Sequence, residues 1–139
     1  MTGRLNRGEM IRHAQDWITA WNRRDLGTVL DAYAEDACFR SPKARAFTGS
    51  SLVVGRPAME RYWRTALDRL GTLEFTFLSA VCDVEAQTVV VHYLAALDGP
   101  ARRACEFFRF DDGRKVYAEA LYGDVEDSGA IVGPAAVPS

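Results

Sequence analysis

Glu106 stands in Ala104-Cys105-Glu106-Phe107-Phe108, a lone carboxyl in an otherwise apolar run. In an extended strand the period of two puts Ala104, Glu106 and Phe108 on one face and Cys105 and Phe107 on the other. If the first face looks inward, the carboxyl lies among Phe108, Trp17, Trp63, Tyr93 and Tyr122. Lost hydration there raises its pKa toward that of an acid or base working near neutrality. A structural reading stands beside it: Glu106 pairs with Arg102, Arg40 or another arginine at a pocket mouth, since ion pairs perturb carboxylates too.

The aromatic residues Trp17, Tyr62, Trp63, Tyr93, Phe108 and Tyr122, with Phe39 on an earlier strand, either pack a core or line a ligand cavity. Ala118 and Ala120 favour the cavity, because their small side chains leave volume unfilled on the face that also carries Tyr122. Indole and phenol groups in such a cavity orient a ligand oxygen. Ser41 and Arg40 offer a donor and an anion contact at a strand end. His13 is expected in solvent, and His92 on the sheet face opposite the pocket. Cys38, Cys82 and Cys105 are an odd number, far apart and without a C-x-x-C pair, so they signal neither zinc nor a disulfide framework.

These groups need elements to position them. Asn6, with Glu9 three residues on, forms a capping box for a first helix whose apolar stripe is Met10, Ile11, Ala14, Trp17, Ile18 and Trp21. Asp25 caps a second helix burying Leu26, Val29, Leu30 and Tyr33. Ala37 to Ser41 alternates as a short strand stopped by Pro42. Residues 43–55 are expected to form a long loop, a candidate lid or pocket rim, with room for a strand fragment at Leu52–Val54. Pro57 suits the first turn of a third helix and Gly71 its end. From Leu73 the period changes to two, giving a first strand with Phe75 and Phe77 on one side. Further strands follow over 87–97, 102–110 and 115–122, joined by the turns at Asp98-Gly99-Pro100 and Asp111-Asp112-Gly113. The expected fold class is α+β, three helices on one face of a curved, mostly antiparallel sheet. Residues 1–7 read as an extension with a mobile start, 8–123 as one domain, and 124–139 as a tail.

In this order the elements resemble the nuclear transport factor 2-like superfamily, in its SnoaL-like and ketosteroid isomerase-like branch. The residues that carry the resemblance are Trp21-Asn22-Arg23-Arg24-Asp25-Leu26, Tyr33-Ala34-Glu35-Asp36-Ala37, Phe39-Arg40-Ser41-Pro42 and Gly55-Arg56. Later in the chain they are Glu106-Phe107-Phe108-Arg109-Phe110, Asp112-Gly113-Arg114-Lys115-Val116 and Ala120-Leu121-Tyr122-Gly123. The resemblance implies a cone-shaped fold over about residues 8–123, and it implies little about reaction, because the superfamily holds isomerases, cyclases, dehydratases, epoxide hydrolases and non-catalytic binders. The isomerase's aspartate base falls at Ser41, its proton-donating tyrosine at Trp17, and a supporting tyrosine at Trp63 beside Tyr62. Only its protonated aspartate keeps a carboxyl, at Glu106. Steroid isomerisation by that mechanism is therefore not expected. An Asp-Arg-Asp epoxide hydrolase set and a paired-histidine dehydratase site have no counterpart either.

A formal charge of −2 and a pI near 5.7 argue against a nucleic-acid binder. No apolar run approaches the ~20 residues that span a bilayer, and the start is polar, so no membrane association and a cytoplasmic location are expected. No cofactor and no metal are implied, for want of a ligand cluster or a Gly-rich phosphate loop. The expected function is binding of a small hydrophobic, oxygen-bearing molecule, with isomerase-, cyclase- or dehydratase-type acid–base chemistry through Glu106. The alternative is a non-catalytic binding or dimerisation domain with a filled pocket. The outer sheet face, with His92, Leu94, Cys105, Phe107, Tyr117 and Leu121, is too apolar for water alone and predicts a homodimer.

Overall fold

The computed structural model describes residues 3–125. Helix α1 (Arg7–Asn22) begins where Asn6 accepts a hydrogen bond from the Glu9 amide and the Glu9 carboxylate accepts one from the Asn6 amide, the expected capping box. Its buried stripe is Met10, Ala14, Trp17, Ile18, Ala20 and Trp21. Asp25 caps α2 (Leu26–Asp31) through the Thr28 amide and hydroxyl. Strand β1 (Tyr33–Arg40) leads through a 3-10 turn (Pro42–Ala44) into the short helix α3 (Arg45–Thr48) and strand β2 (Leu52–Val54). Helix α4 (Arg56–Arg69) opens on Gly55, whose φ of 88° is left-handed and favours glycine, with Pro57 in the first turn. Four strands follow: β3 (Leu73–Asp83), β4 (Thr88–Leu97), β5 (Arg102–Asp111) and β6 (Arg114–Val125).

The six strands form one sheet in the order β2-β1-β6-β5-β4-β3. Among the described residues only the pairing of β1 with β6 is parallel. Helices α1, α2 and α4 cover the inner face of this curved sheet, and the core lies between, so the fold is the expected α+β cone. Asn22, at the end of α1, ties helix to sheet: its amide nitrogen donates to the Phe75 carbonyl at 2.9 Å and its oxygen accepts from the Phe75 amide at 2.7 Å.

The structure corrects several expectations. Tyr33 does not extend α2; it begins β1, because the Ala32 carbonyl accepts from the Lys115 amide and Arg114 donates to the carbonyls of Asp31 and Tyr33. β1 is correspondingly longer than Ala37 to Ser41, and Ser41 lies beyond it, capping the 3-10 turn by accepting from the Lys43 amide. The 43–55 segment is not a bare loop, since it carries α3 as well as β2. The N-terminal residues described are not loose: Leu5 exchanges two hydrogen bonds with the Gln87 side chain, and the Gly3 amide donates to Asp112. His13 is half-buried, its ring centroid 4.9 Å from that of Phe110. Asp124 and Val125 belong to β6; the remainder of the expected tail lies outside the described residues.

Register shifts in the sheet decide which side chains face inward. Between Arg109↔Tyr117 and Phe110↔Lys115, strand β6 advances two residues while β5 advances one. This bulge at Val116 moves Lys115 onto the same inner face as Ala118 and Ala120. A second bulge lies at Leu78, between Phe77↔Tyr93 and Ser79↔His92.

Candidate functional site

On the inner face of β5 the chain presents Ala104, Glu106, Phe108 and Phe110, all buried. Tyr93 of β4 lies opposite Ala104, and Ala120 of β6 opposite Glu106. Helices α1 and α4 bring Trp17, Tyr62 and Trp63 over this surface. Trp17 stands edge-on to Tyr93 and Phe108, with centroids 5.1 and 5.3 Å away, and stacks on Phe75 at 5.5 Å. Between helices and sheet lies a cavity of about 380 Å³, within the usual range for a small-molecule site. Glu106, Trp17, Trp21, Tyr62, Trp63, Phe75, Tyr93 and Tyr122 line it. Its exposed lining residues, Lys43, Ala46, Phe47, Arg69 and Asp98, mark the mouth.

The cavity holds hydroxyl groups as well as rings. The phenols of Tyr93 and Tyr122 lie close enough to act on one another, as do the Ser41 hydroxyl and the Tyr62 phenol. Burial pushes the Tyr62 phenol up to about 12 and those of Tyr33, Tyr93 and Tyr122 up as well, so all four remain O–H groups at neutral pH.

Glu106 is 3 % exposed and Lys115 1 %. Loss of hydration pushes the Glu106 carboxyl up to about 8, against the opposing pull of Lys115, with Glu119 adding a smaller upward push. Loss of hydration likewise pushes the Lys115 amine down to about 7, opposed by Glu106 and Asp16. Both groups are thus driven toward their neutral forms. Lys115 Nζ lies 3.7 Å from the ring centroid of Phe108 and 5.2 Å from that of Tyr33, a cation–π seat when the amine is protonated. Neither arginine considered as a partner for Glu106 is engaged with it: Arg102 donates to the Gly123 carbonyl and Arg40 to the Ser51 hydroxyl.

Of the residues singled out from the sequence, the structure gathers Glu106, Trp17, Tyr62, Trp63, Tyr93 and Tyr122 around the cavity. Phe39, Ser41, Phe108, Ala118 and Ala120 are buried behind its walls. Phe39 packs on Trp63 at 5.0 Å. Contrary to the expectation of unfilled volume, the space beside Ala118 is taken up, since Phe108 lies opposite it with the Lys115 amine on its ring. Sequence reasoning missed Lys115 and Tyr33. The parity set by Ala118, Ala120 and Tyr122 assigns Lys115 to the outer face, and only the bulge reverses it. Tyr33 continues the helical spacing of Leu26, Val29 and Leu30, which hid its place in the sheet.

The SnoaL-like domain model matches residues 14–118. The chain belongs to the SnoaL-like family. Its fold is that of the wider nuclear transport factor 2-like superfamily, and solved structures agree. A SnoaL-like protein of unknown function from Burkholderia thailandensis is 31% identical, with a TM-score of 0.76 over 87% of this chain and 99% of that one. An NTF2-like protein of unknown function from Burkholderia pseudomallei is 19% identical, with a TM-score of 0.71 over 83% and 91% of the two chains. TerC, co-crystallised with polyporic acid, is 14% identical, with a TM-score of 0.70 over 83% and 92%. The last two likenesses concern the fold alone. No protein of curated function matches the SnoaL-like chain. Among its described residues, no helix is long and apolar enough to cross a membrane.

Proposed function

We propose that this SnoaL-like protein binds a small hydrophobic molecule bearing an oxygen in the cone, and that Glu106 performs acid–base chemistry on it. The observation that carries the reading is a carboxyl buried in the wall of an aromatic cavity, beside the phenols of Tyr93 and Tyr122, where loss of hydration pushes it up toward neutrality. A neutral carboxyl donates a hydrogen bond to a ligand carbonyl or hydroxyl oxygen, and its pKa lies close enough to neutrality for it to give up and regain the proton. Trp17, Trp63 and Phe75 supply the apolar walls. That TerC, a protein of the same fold, was co-crystallised with polyporic acid supports a cone of this kind as a small-molecule site. The other carboxylate at the mouth, Asp98, is engaged by the amides of Gly71 and Thr72, which leaves Glu106 as the acid–base group of the cavity. We further infer a homodimer through the outer sheet face, and a cytoplasmic location, which three half-buried free thiols support.

The test is a thermal-shift screen of small aromatic and alicyclic ketones, enols and phenols, run beside Ala66→Phe. Ala66 lines the cavity half-exposed, so a phenyl ring there fills space without entering a packed core. The expected result is a set of compounds that stabilise the wild type, by about 3 kcal/mol at a hundredfold excess over Kd, and do nothing for Ala66→Phe. Equal shifts in both proteins, or none in the wild type, would rule out the cavity as the binding site. With such a compound as substrate, Glu106→Gln is expected to retain binding and lose roughly 10²- to 10⁴-fold in turnover; undiminished turnover removes Glu106 from the chemistry.

A further inference from the structure

Lys115 is the buried titratable group that the reading above leaves without a task. It does not line the cavity, yet it sits on Phe108, whose ring packs against the cavity residue Trp17. The bulge at Val116 turns it inward, and Phe108, whose ring carries its Nζ at 3.7 Å, is the next inward residue on β5 after Glu106. Opposite these two stand Ala118 and Ala120, and across this part of the inner face the amine and the carboxyl act on each other electrostatically. Among the described residues no carboxylate lies within ion-pair distance of Lys115. An ammonium on this ring therefore has no anion in contact with it, in surroundings where an unbalanced charge is costly. The groups that face it are His13 and Asp16 from α1, Tyr33 from β1 and Glu106 from β5. Lys115 faces Glu106 from β6, as do the phenols of Tyr33, Tyr62, Tyr93 and Tyr122 from their own elements, while the charge of Glu119 acts on it from the outer face of the sheet. The Tyr33 hydroxyl is itself fully buried and makes no hydrogen bond.

We propose that Lys115 is the counter-charge of the cavity, and that with Glu106 it selects ligands carrying an acidic oxygen, a phenol or an enol, and binds them as oxyanions. The proposal rests on the cavity being a ligand site and adds the class of ligand. The proton balance is simple. With one proton between them, carboxyl and amine are neutral overall, as an acid and an amine or as a carboxylate and an ammonium. In the second form the ligand O–H bond breaks, an O–H bond forms on Glu106, and the new carboxyl donates back to the ligand oxyanion. The Lys115 ammonium then balances the oxyanion across a medium of low dielectric. In the first form Lys115 takes that proton from solvent as the oxyanion enters. The end state is the same: a carboxyl, an ammonium and a ligand oxyanion, neutral in sum. The mouth has the matching sign. Lys43 lies over the Tyr122 ring at 4.7 Å and Arg69 over Phe47 at 5.0 Å, while Asp98 is held by backbone amides.

The probes are 2-naphthol, which is un-ionised in water at neutral pH, and its methyl ether, which has no acidic proton. Absorption separates bound naphthol from bound naphtholate. The wild type is expected to bind 2-naphthol as naphtholate at pH 7. Lys115→Met is expected to bind it as the neutral phenol, with the naphtholate-to-naphthol ratio lowered about tenfold or more, one pKa unit of the bound probe, and with unchanged affinity for the methyl ether. Lys115→Gln serves as a second neutral variant should the methionine protein not fold. A neutral spectrum in the wild type overturns the proposal, and so does an undiminished naphtholate band in either variant. If the wild type binds neither naphthol nor ether, the cavity reading fails and this inference with it; binding of the ether alone removes the counter-charge and leaves the cavity.

Discussion

Lys115 carries an amine that water would keep protonated far above neutral pH, and folding moves it onto the ring of Phe108. Its amine falls from an ordinary 10.5 to about 7, while the Glu106 carboxyl rises from 4.5 to about 8. The two shifts act on stability with opposite signs. Between pH 4.5 and 8 the folded state holds the Glu106 proton more firmly than the unfolded chain, so stability falls as pH rises through that window. Between pH 7 and 10.5 the unfolded chain holds the Lys115 proton more firmly, so stability rises. The pair therefore weakens the fold most between pH 7 and 8. Compared with a Glu106→Gln, Lys115→Met double variant, the wild type is expected to show its largest deficit there, shrinking by at most about 1.4 kcal/mol per pH unit on either side. Urea unfolding across pH checks this, and two parallel curves would contradict it. Lys115→Met alone is expected to gain about 1–3 kcal/mol at pH 7, because it replaces a buried amine by an apolar chain of similar length and leaves Glu106 protonated. A loss of stability would mean that the amine holds the carboxyl by a bond stronger than the geometry suggests.

At the scale of elements, what α1 contributes is set by its C-terminal end. The two Asn22 hydrogen bonds to Phe75 fix the helix against β3, and with it the stack of Trp17 on Phe75 that forms one cavity wall. Asn22→Ala removes both partners and is expected to cost about 1–3 kcal/mol; Asn22→Asp keeps the acceptor and should cost less. Urea unfolding gives the energies, and tryptophan fluorescence the wall. An alanine variant as stable as the wild type would show the helix held by packing alone. The ends of α1, α2 and α4 were legible because their signals are local: Asn6 with Glu9, Asp25, and Gly55 with Pro57. The parity of β5 was legible too, and it put Glu106 in the cone. Two elements were not. Tyr33 keeps the helical spacing of α2, and hydrogen bonds from Lys115 and Arg114, more than 80 residues away in sequence, draw the chain into β1 instead. The Val116 bulge is likewise a product of β5–β6 pairing, with no residue in Arg114-Lys115-Val116-Tyr117 that marks it. The functional group with the least local signal, Lys115, depends on both.

The whole molecule leaves the outer face of its sheet unaccounted for. Val81 is 68% exposed and Leu121 53%, and Leu94, Cys105, Phe107 and Tyr117 stand half-buried around Leu121 and the centre of the sheet. The surface totals 8189 Å², and a standard interface removes about 800 Å² per partner, near a tenth of it. Strands β4, β5 and β6, each ten residues or longer, offer a patch of that order, and a curved sheet presents the same patch to a second copy about a twofold axis. Some of its polar groups are matched within the chain: the Tyr117 hydroxyl donates to Glu119 at 2.7 Å, and Arg109 lies over the Tyr117 ring. The expected mass by light scattering at micromolar concentration is that of a dimer. Leu121→Arg places two guanidinium groups in the proposed interface and should return a monomer, while the cavity, on the other face of the sheet, keeps its affinity for 2-naphthol. A monomeric wild type would refute the dimer. A monomeric Leu121→Arg with lost naphthol binding would show instead that the sheet transmits the state of its outer face to the cone, through the strands that hold Glu106 and Lys115.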